Sequence, residues 1–481
     1  MIKKFFKIIM SFSLIMIICI ISGCESKPAD SAARPSAAAR PVPAVRPAER
    51  AEADKPATDP VDDAVAAEEV DDGLIERIAV EAETGNMEKA LQIFEEGRSG
   101  DQLLHVILLI QNRRLDEAES ILAQVIKGDP SNITALYYSS LIYNLKGDTN
   151  NERRVLERII RSDADHIDAN ISLGRIYAGE RSHSRAEAAF RRVISAHGYV
   201  EDAVLGYGMA LLAQEKTAEA LAQFNTVIRN SPDNVFAYIY RARIKSFDND
   251  FAGAERDLSE AIKLDPDFIW SYLDRGRARL YAGRYNSAIE DFTKVISKDD
   301  TIFIAYIHRA WANEGIEQND LALADYRRAL ELRGDYQRGF IPFALQLYRA
   351  EQWNEAAIYF IRAYDVSRNP EFLLFAAASL KHAGENRLAD RLIRDNMNRI
   401  PREDLLFHIA RLFVDPAYEA IVLNRFRQEQ DPFVIMKGNF YLALYYDTFG
   451  RNILSEQHFG EVLDSGLIQS MEYKVARWKI R

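Results

Sequence analysis

The sequence predicts an all-α protein, an α-solenoid of about ten to eleven stacked antiparallel helix hairpins preceded by a disordered linker. Three observations predict this fold, and each recurs with a constant period of about 34 residues. An alanine returns at that interval, a large apolar or aromatic side chain follows it by four residues, and a very small residue precedes it by twelve. The alanines are Ala186, Ala220, Ala254, Ala288, Ala322 and Ala356, the large residues are Phe190, Phe224, Leu258, Phe292, Tyr326 and Phe360, and the small residues are Gly174, Gly208, Ala242, Gly276, Ala310 and Ala344.

Helix packing explains this spacing. Two antiparallel helices approach closely only where both carry small side chains, so the small residue of a first helix faces the alanine of the second. The large side chain four residues later lies on the same helical face and fills the space toward the next hairpin. Proline ends a second helix, as at Asp129-Pro130, Ser231-Pro232 and Asp265-Pro266. A lone hairpin leaves its apolar face exposed, so neighbouring hairpins must stack.

The repeat is most regular over residues 167–369 and weaker on both sides. We expect degenerate N-terminal hairpins over 73–166, where Glu152 replaces the alanine, and degenerate C-terminal hairpins over 370–467. Pro342 predicts a first helix that starts late or kinks.

The C-terminal end departs further from the repeat. Residues 415–430 predict a helix with irregular packing. Apolar residues at helical spacing predict a capping helix over 468–481. They are Ile468, Met471, Val475 and Trp478.

The repeated residues resemble the tetratricopeptide repeat family, and the resemblance covers nearly everything after residue 72. It implies a superhelix in which the first helix of each hairpin lines a concave, protein-binding groove. Helical spacing places aromatic and arginine side chains on that face. The predicted protein-binding residues are Phe236, Arg243, Phe247, Trp270, Arg277, Tyr281, Trp311, Arg338 and Tyr348. The alternative is that many of these side chains, like Leu273 and Ile307 on the same stripe, pack against the adjacent hairpin. The chaperone-type carboxylate clamp of this family needs lysine and asparagine on the groove face. This sequence has apolar residues and arginine at those places, and it therefore does not support specificity for a C-terminal carboxylate.

A second set of charged residues recurs at the same interval. We predict that its arginines pair with its aspartates, within one hairpin or between neighbours, and hold the hairpins in register. The alternative function is an anion-binding stripe. The members of this structural ladder are Arg241, Arg275, Arg309, Asp257, Asp291 and Asp325.

Residues 1–23 have the pattern of an export signal. Three lysines precede an apolar stretch that is too short for a comfortable membrane-spanning helix. The stretch ends in Ile21-Ser22-Gly23-Cys24, which resembles the lipobox of bacterial lipoproteins and implies lipidation of Cys24. An uncleaved signal anchor with a chance cysteine is the alternative. Glu25 follows the cysteine, and by resemblance to many lipoproteins this favours the outer membrane, with the body in the periplasm or at the cell surface.

Residues 24–72 are predicted to be a disordered tether. Alanine, proline, arginine and acidic residues dominate the segment, so it cannot bury enough apolar area to fold. As a flexible coil it reaches about 40 Å, which lets the folded body stand off the membrane.

Composition narrows the possible functions. The formal charge of −11 argues against general nucleic-acid binding. Both cysteines, Cys19 and Cys24, lie at the N-terminus, so the body has no disulfide framework or cysteine metal site. Signatures of phosphate-binding loops and of zinc proteases are absent. We therefore expect no catalysis, cofactor, metal or small-molecule substrate.

The expected function is that of a membrane-anchored scaffold in the bacterial cell envelope, which binds envelope proteins or peptides in its groove. The alternative is a structural subunit that docks through the edges of the solenoid or associates with itself. A third possibility, an enzyme with a hidden site, requires a deep polar pocket with converging titratable groups.

Overall fold

The computed structural model describes residues 72–97, 100–468 and 470–480. This part of the chain contains 25 α-helices and no strand, which confirms the all-α prediction. The predicted signal segment, Cys24 and the tether up to residue 71 lie outside the described residues. Asp72, predicted as the last tether residue, is the first residue of a helix. Among the described helices, none is both long enough and apolar enough to cross a membrane.

The helices fall into two compact units, which divide between Ala210 and Leu211. The first unit contains four helix hairpins and most of a ninth helix. Its helices are α1 (Asp72–Glu83), α2 (Met87–Glu96), α3 (Gln102–Gln111), α4 (Leu115–Gly128), α5 (Ile133–Leu145), α6 (Thr149–Ser162), α7 (Ile167–Gly179), α8 (His183–His197) and α9 (Glu201–Leu212), the last of which contains the division.

The second unit begins within α9 and contains one further helix, seven hairpins and a terminal helix. Its helices are α10 (Thr217–Asn230), α11 (Val235–Phe247), α12 (Phe251–Leu264), α13 (Ile269–Tyr281), α14 (Tyr285–Lys298), α15 (Phe303–Gly315), α16 (Asn319–Leu332), α17 (Phe340–Arg349), α18 (Trp353–Ser367), α19 (Pro370–His382), α20 (Asn386–Asn396), α21 (Leu405–Val414), α22 (Glu419–Phe426), α23 (Pro432–Thr448), α24 (Asn452–Asp464) and α25 (Met471–Lys479).

The small and large residues of the repeat form the contacts inside the hairpins. Ala254, Ala288 and Ala322 are completely buried, as close helix crossings require. A Cβ atom added to Gly276 would lie 2.6 Å from the ring of Phe292, so the glycine makes room for that ring. The spacing that predicted the fold is therefore the spacing of its tightest contacts.

The turn inside the hairpins repeats as closely as the helices do. One residue in each has a left-handed backbone, and these residues recur at the interval of the repeat from Arg113 to Glu351. Most are not glycine, although a side chain costs about 1 kcal/mol or more in this conformation. They are Arg113, Gly147, Arg181, Glu215, Asn249, Gly283, Glu317 and Glu351. Hairpin packing fixes the turn geometry whichever residue stands there.

The irregular segments match their sequence signals. A short 3₁₀ segment, Gln337–Gly339, precedes α17, so the first helix that contains Pro342 starts late. Another 3₁₀ turn, Pro416–Tyr418, precedes the eight-residue helix α22. The capping helix α25 begins at Met471 rather than at residue 468, because Ile468 is exposed in the preceding turn.

Candidate protein-binding surface

Three consecutive first helices, α11, α13 and α15, present exposed aromatic rings and arginines. The fraction exposed is 83% for Phe247, 52% for Tyr281, and 38% for both Trp270 and Trp311. The side chains of Arg243 and Arg277 are about half exposed. We call these six residues the aromatic–arginine surface. The opposite side of each helix carries the small residue that packs inside the hairpin, so close packing orients the surface outward.

The structure separates the nine predicted binding residues into groups. Six form the aromatic–arginine surface. Phe236 is half-buried and packs edge-to-face on Phe268, with the ring centroids 5.7 Å apart. Arg338 is exposed but lies in the 3₁₀ segment before α17 instead of on a first helix.

The prediction that Tyr348 is an exposed groove residue is wrong. Its side chain is 2% exposed, because Trp353 packs edge-to-face on the ring and the ammonium group of Lys479 lies 5.3 Å from the ring centroid. Leu273 and Ile307 are buried as well, which is the alternative that the sequence left open.

An aspartate that the repeat pattern did not indicate organises the two exposed arginines. Arg243 Nε donates to Asp274 Oδ2 across 3.0 Å, and Arg277 Nη1 lies 3.4 Å from Asp274 Oδ1. The guanidinium of Arg243 also lies over the ring of Tyr240, 5.4 Å from its centroid. One carboxylate thus holds two guanidinium groups in place, and the trio keeps a net charge of one positive unit.

A buried histidine supports Trp311. His308 lies between Phe292 and Trp311, with centroid distances of 5.6 and 5.8 Å. Burial, together with the positive charge of Arg277, lowers the pKa of His308 to about 3. The imidazole is therefore neutral at pH 7 and acts as an aromatic packing element beneath the tryptophan.

The predicted Arg–Asp pairs are present, and each lies within one hairpin. Each arginine is bidentate to the aspartate sixteen residues later, with the shortest N–O distance 2.7 Å in all three pairs. The arginines also lie 5.6 Å from the ring centroids of Tyr238, Tyr272 and Tyr306. The pairs are Arg241–Asp257, Arg275–Asp291 and Arg309–Asp325.

Each ladder arginine has a further partner on the second helix of the preceding hairpin. The partner stands sixteen residues before the arginine and accepts from its Nη1 at 2.8, 3.2 or 3.1 Å. These partners are Asn225, Ser259 and Thr293. They could not be recognised in the sequence because only the position recurs, while the residue type changes. The ladder therefore connects both helices of one hairpin to the second helix of the preceding hairpin.

Comparison with known protein families identifies the type of repeat. A family model described as tetratricopeptide repeat matches residues 171–235 and 273–336. These segments are tetratricopeptide repeats. In the second unit they include α10, α14, α15 and α16, most of α13, and three of the six residues of the aromatic–arginine surface, Arg277, Tyr281 and Trp311. No curated protein matches the chain in sequence.

Several solved structures are similar to this chain. A tetratricopeptide repeat protein from Parabacteroides merdae is 18% identical, covers 51% of this chain and 98% of its own, and has a TM-score of 0.40. MamA is 19% identical over 36% of this chain and 96% of its own, with a TM-score of 0.33. YrrB, described as a TPR protein with an unusual peptide-binding site, is 21% identical over 38% of this chain and 95% of its own, with a TM-score of 0.32.

Within the described ranges, no group of three or more His, Cys, Asp or Glu side chains could hold a metal ion. The second unit has a concave region beside the ladder, with a volume of about 540 Å³. Its lining includes Arg241, Lys245, Glu255 and Asp257. Their charges pair with one another or with neighbouring side chains.

Proposed function

We propose that this protein is a non-catalytic scaffold that binds partner proteins through the aromatic–arginine surface of its repeats. The observation that carries the proposal is the exposure of aromatic rings and arginines at equivalent positions of three successive first helices. Large apolar rings normally lie inside a helical repeat, and a contiguous exposed set of them is typical of an interaction site. Tryptophan, tyrosine and arginine are also the residues that supply most binding energy at protein interfaces.

The proposed partner is an extended or helical protein segment that carries apolar and acidic side chains. Apolar side chains would cover Phe247, Tyr281 and Trp311. An acidic side chain would reach Arg243 and Arg277, whose side chains are each about half exposed. Because Asp274 holds both arginines, little side-chain entropy is lost when a partner binds them.

The experiment compares two double variants of the full-length protein in pull-downs from cells after crosslinking. Arg243→Glu with Trp311→Ala changes the aromatic–arginine surface. Arg256→Glu with Leu321→Ala makes the same kind of change at exposed residues of second helices. We expect the first variant to lose the captured partners and the second to keep them. Retention of all partners by the first variant would refute the proposal.

The alternative is a structural subunit that docks through the edges of the solenoid or associates with itself. Exposed apolar side chains on second helices favour such a contact, among them Leu321, Ile358 and Leu388, which are about half exposed, and Ile453, which is 84% exposed. The same experiment distinguishes the two functions. Loss of partners only in the variant with Leu321→Ala supports the alternative.

We further propose that the protein is a lipoprotein of the bacterial cell envelope, anchored through Cys24. The support is the sequence Ile21-Ser22-Gly23-Cys24 after an apolar stretch. Several acyl chains together anchor a protein stably, since each buried methylene contributes about 0.8 kcal/mol. Metabolic labelling with palmitate tests this step. Cys24→Ala should abolish the label and release the protein from the membrane fraction, whereas Cys19→Ala should change neither.

A further inference from the structure

The terminal helix α25 contacts the first helices of hairpins that are distant in sequence. Trp478 lies under the guanidinium of Arg349, which is 5.0 Å from the indole ring, at the end of α17. Arg477 reaches Glu317, after α15, at 3.8 Å. Val475 and Ala476 are completely buried in the core that α15, α17, α19 and α23 share. A helix that caps only the last hairpin would not reach α15 and α17.

Lys479, the last residue of α25, occupies a site that is built for an ammonium group. Its Nζ lies 5.3 Å from the ring centroid of Tyr348 and 5.6 Å from that of Trp353. It also donates to Asp447 Oδ2 across 2.7 Å. Two aromatic faces and one carboxylate around a cation combine cation–π attraction with an ion pair. We call Tyr348, Trp353 and Asp447 the ammonium site.

Aromatic packing fixes the shape of this site, and its charge is set with Lys479 in place. The rings of Tyr348 and Trp353 pack edge-to-face at 4.9 Å, and His382 stacks on Trp353 at 4.5 Å. Burial raises the pKa of Asp447, but hydrogen bonds from His382 and Lys479 outweigh burial and leave it below its usual value. The carboxylate is therefore charged at neutral pH and needs a cation beside it.

Charge complementarity extends along the rest of the helix. The basic residues of α25 are Lys474, Arg477 and Lys479, and each has an acidic residue of another part of the second unit nearby. Arg477 pairs with Glu317 and Lys479 with Asp447. Burial raises the pKa of Glu314, and the nearby charge of Lys474 opposes this rise. This surface therefore fits a helix with a basic last turn and small apolar residues on its buried face.

The chain's own helix fits this surface imperfectly. Glu472 is 3% exposed, and burial, together with the negative charge of Glu371, raises its pKa. The helix has only nine residues, too few to be stable alone, and the preceding turn contains Gly466 with a left-handed backbone. A buried acid and a short helix both weaken the docked state.

We propose that the ammonium site and its surroundings bind a basic amphipathic helix of a partner protein, and that α25 occupies the site until such a helix displaces it. The proposal rests on the proposed scaffold function and adds a second binding surface of defined chemistry. The partner helix places a lysine in the ammonium site and an uncharged residue where α25 has Glu472. Because α25 is tethered to the site, it competes at a high effective concentration.

The test uses the full-length protein and a fluorescent peptide with the sequence of Ser470–Arg481. Lys479→Glu in the protein weakens docking of α25 and leaves the site intact. We expect this variant to bind the peptide about tenfold more tightly than the unchanged protein does, because the competing helix no longer fills the site. Lys294→Glu, a charge reversal at an exposed position of α14, is the matched control and should not change peptide binding.

Two further variants show whether the peptide binds in the expected place. Adding Asp447→Ala to Lys479→Glu should abolish binding, because the ammonium group loses its carboxylate. A peptide with Gln in place of Glu472 should bind more tightly than the natural one, since it buries no charge beside Glu371. Circular dichroism checks that each variant is folded, and Trp478→Ala replaces Lys479→Glu if that variant is not.

The results separate this inference from the proposed function. A folded Lys479→Glu variant that does not bind the peptide overturns the inference, as does hydrogen exchange in α25 as slow as in Tyr441–Tyr446 of α23. If partners are still lost in the Arg243→Glu/Trp311→Ala variant, the scaffold function stands and only the second surface fails. Tight peptide binding that depends on Asp447, together with rapid exchange in α25, supports the inference.

Discussion

Replacing Asp291 by alanine is expected to lower the free energy of unfolding of the second unit by about 3 kcal/mol. The carboxylate is only 4% exposed and accepts two hydrogen bonds from Arg275 and one from Arg279, at distances of 2.7 to 3.0 Å. Arg279 keeps a second carboxylate, Glu255, at 2.8 Å. Arg275 keeps a neutral hydrogen-bond partner, Ser259, and only the unbonded charge of Glu255 nearby, so a poorly hydrated cation loses its paired counter-ion. Because the arginine is 16% exposed, water relieves part of the cost, which places the value at the low end for a broken buried pair.

The other hairpins provide an internal ranking. Asp257 also faces two cations, Arg241 and Lys245, but both are more exposed than their counterparts beside Asp291. Asp325 faces one cation, Arg309, and the neutral amide of Asn313. The destabilisation should therefore decrease from Asp291→Ala through Asp257→Ala to Asp325→Ala.

Urea titration followed by circular dichroism measures the effect, and hydrogen exchange locates it in α13 and α14. Repeat proteins can unfold in parts, so the local measurement is needed beside the global one. Asp300→Ala, an exposed aspartate after α14, is the control and should change stability by less than about 0.5 kcal/mol. If Asp291→Ala costs no more than this control, or if the ranking is reversed, the ladder does not hold the hairpins together.

Three further predictions concern packing, turns and pH. Gly276→Ala should lower the free energy of unfolding by about 1–3 kcal/mol, because the new methyl group overlaps the ring of Phe292. In a double-mutant cycle, adding Phe292→Leu should remove most of this loss. Gly283 and Glu351 both have a left-handed backbone, which favours glycine. Gly283→Ala should therefore lower the free energy of unfolding by about 1 kcal/mol, and Glu351→Gly should raise it slightly, as thermal melting can show. Burial raises the pKa of Glu152, so its contribution to stability is full below pH 4.5 and is lost as pH rises through the raised value. Glu152→Gln should therefore stabilise the first unit at pH 8 and not at pH 4 in urea titrations.

The fold could be predicted because its main contacts are local and repeated. Ala254 and Leu258 lie four residues apart on one helix, and their small partner Ala242 precedes them on the neighbouring helix. Contacts of this kind return once in every hairpin, so a constant interval in the sequence is enough to reveal them. The ladder pairs could be predicted for the same reason, since Arg275 and Asp291 are sixteen residues apart in one hairpin.

Other features could not be predicted from this pattern. The third partner of the ladder changes from Asn225 to Ser259 to Thr293, so only its geometry is periodic. Tyr348 was assigned to an exposed groove because its position in the repeat suggests one, but Lys479, several hairpins further along the chain, covers it. A contact over that separation leaves no periodic signal. The position of the capping helix had to come from the structure.

The division between constant and variable positions explains how one framework can carry a specific surface. In α11, α13 and α15 the ladder position is arginine three times, in Arg241, Arg275 and Arg309, because each must pair with its aspartate. Two residues later the side chain points away from this pairing and changes from Arg243 to Arg277 to Trp311. The ion pair restricts the residue type at the ladder position, whereas the position two residues later can vary. The identity of the partner is therefore expected to depend on the variable positions, and exchanging Arg277 and Trp311 should change partner selection while circular dichroism shows that the repeats are still folded.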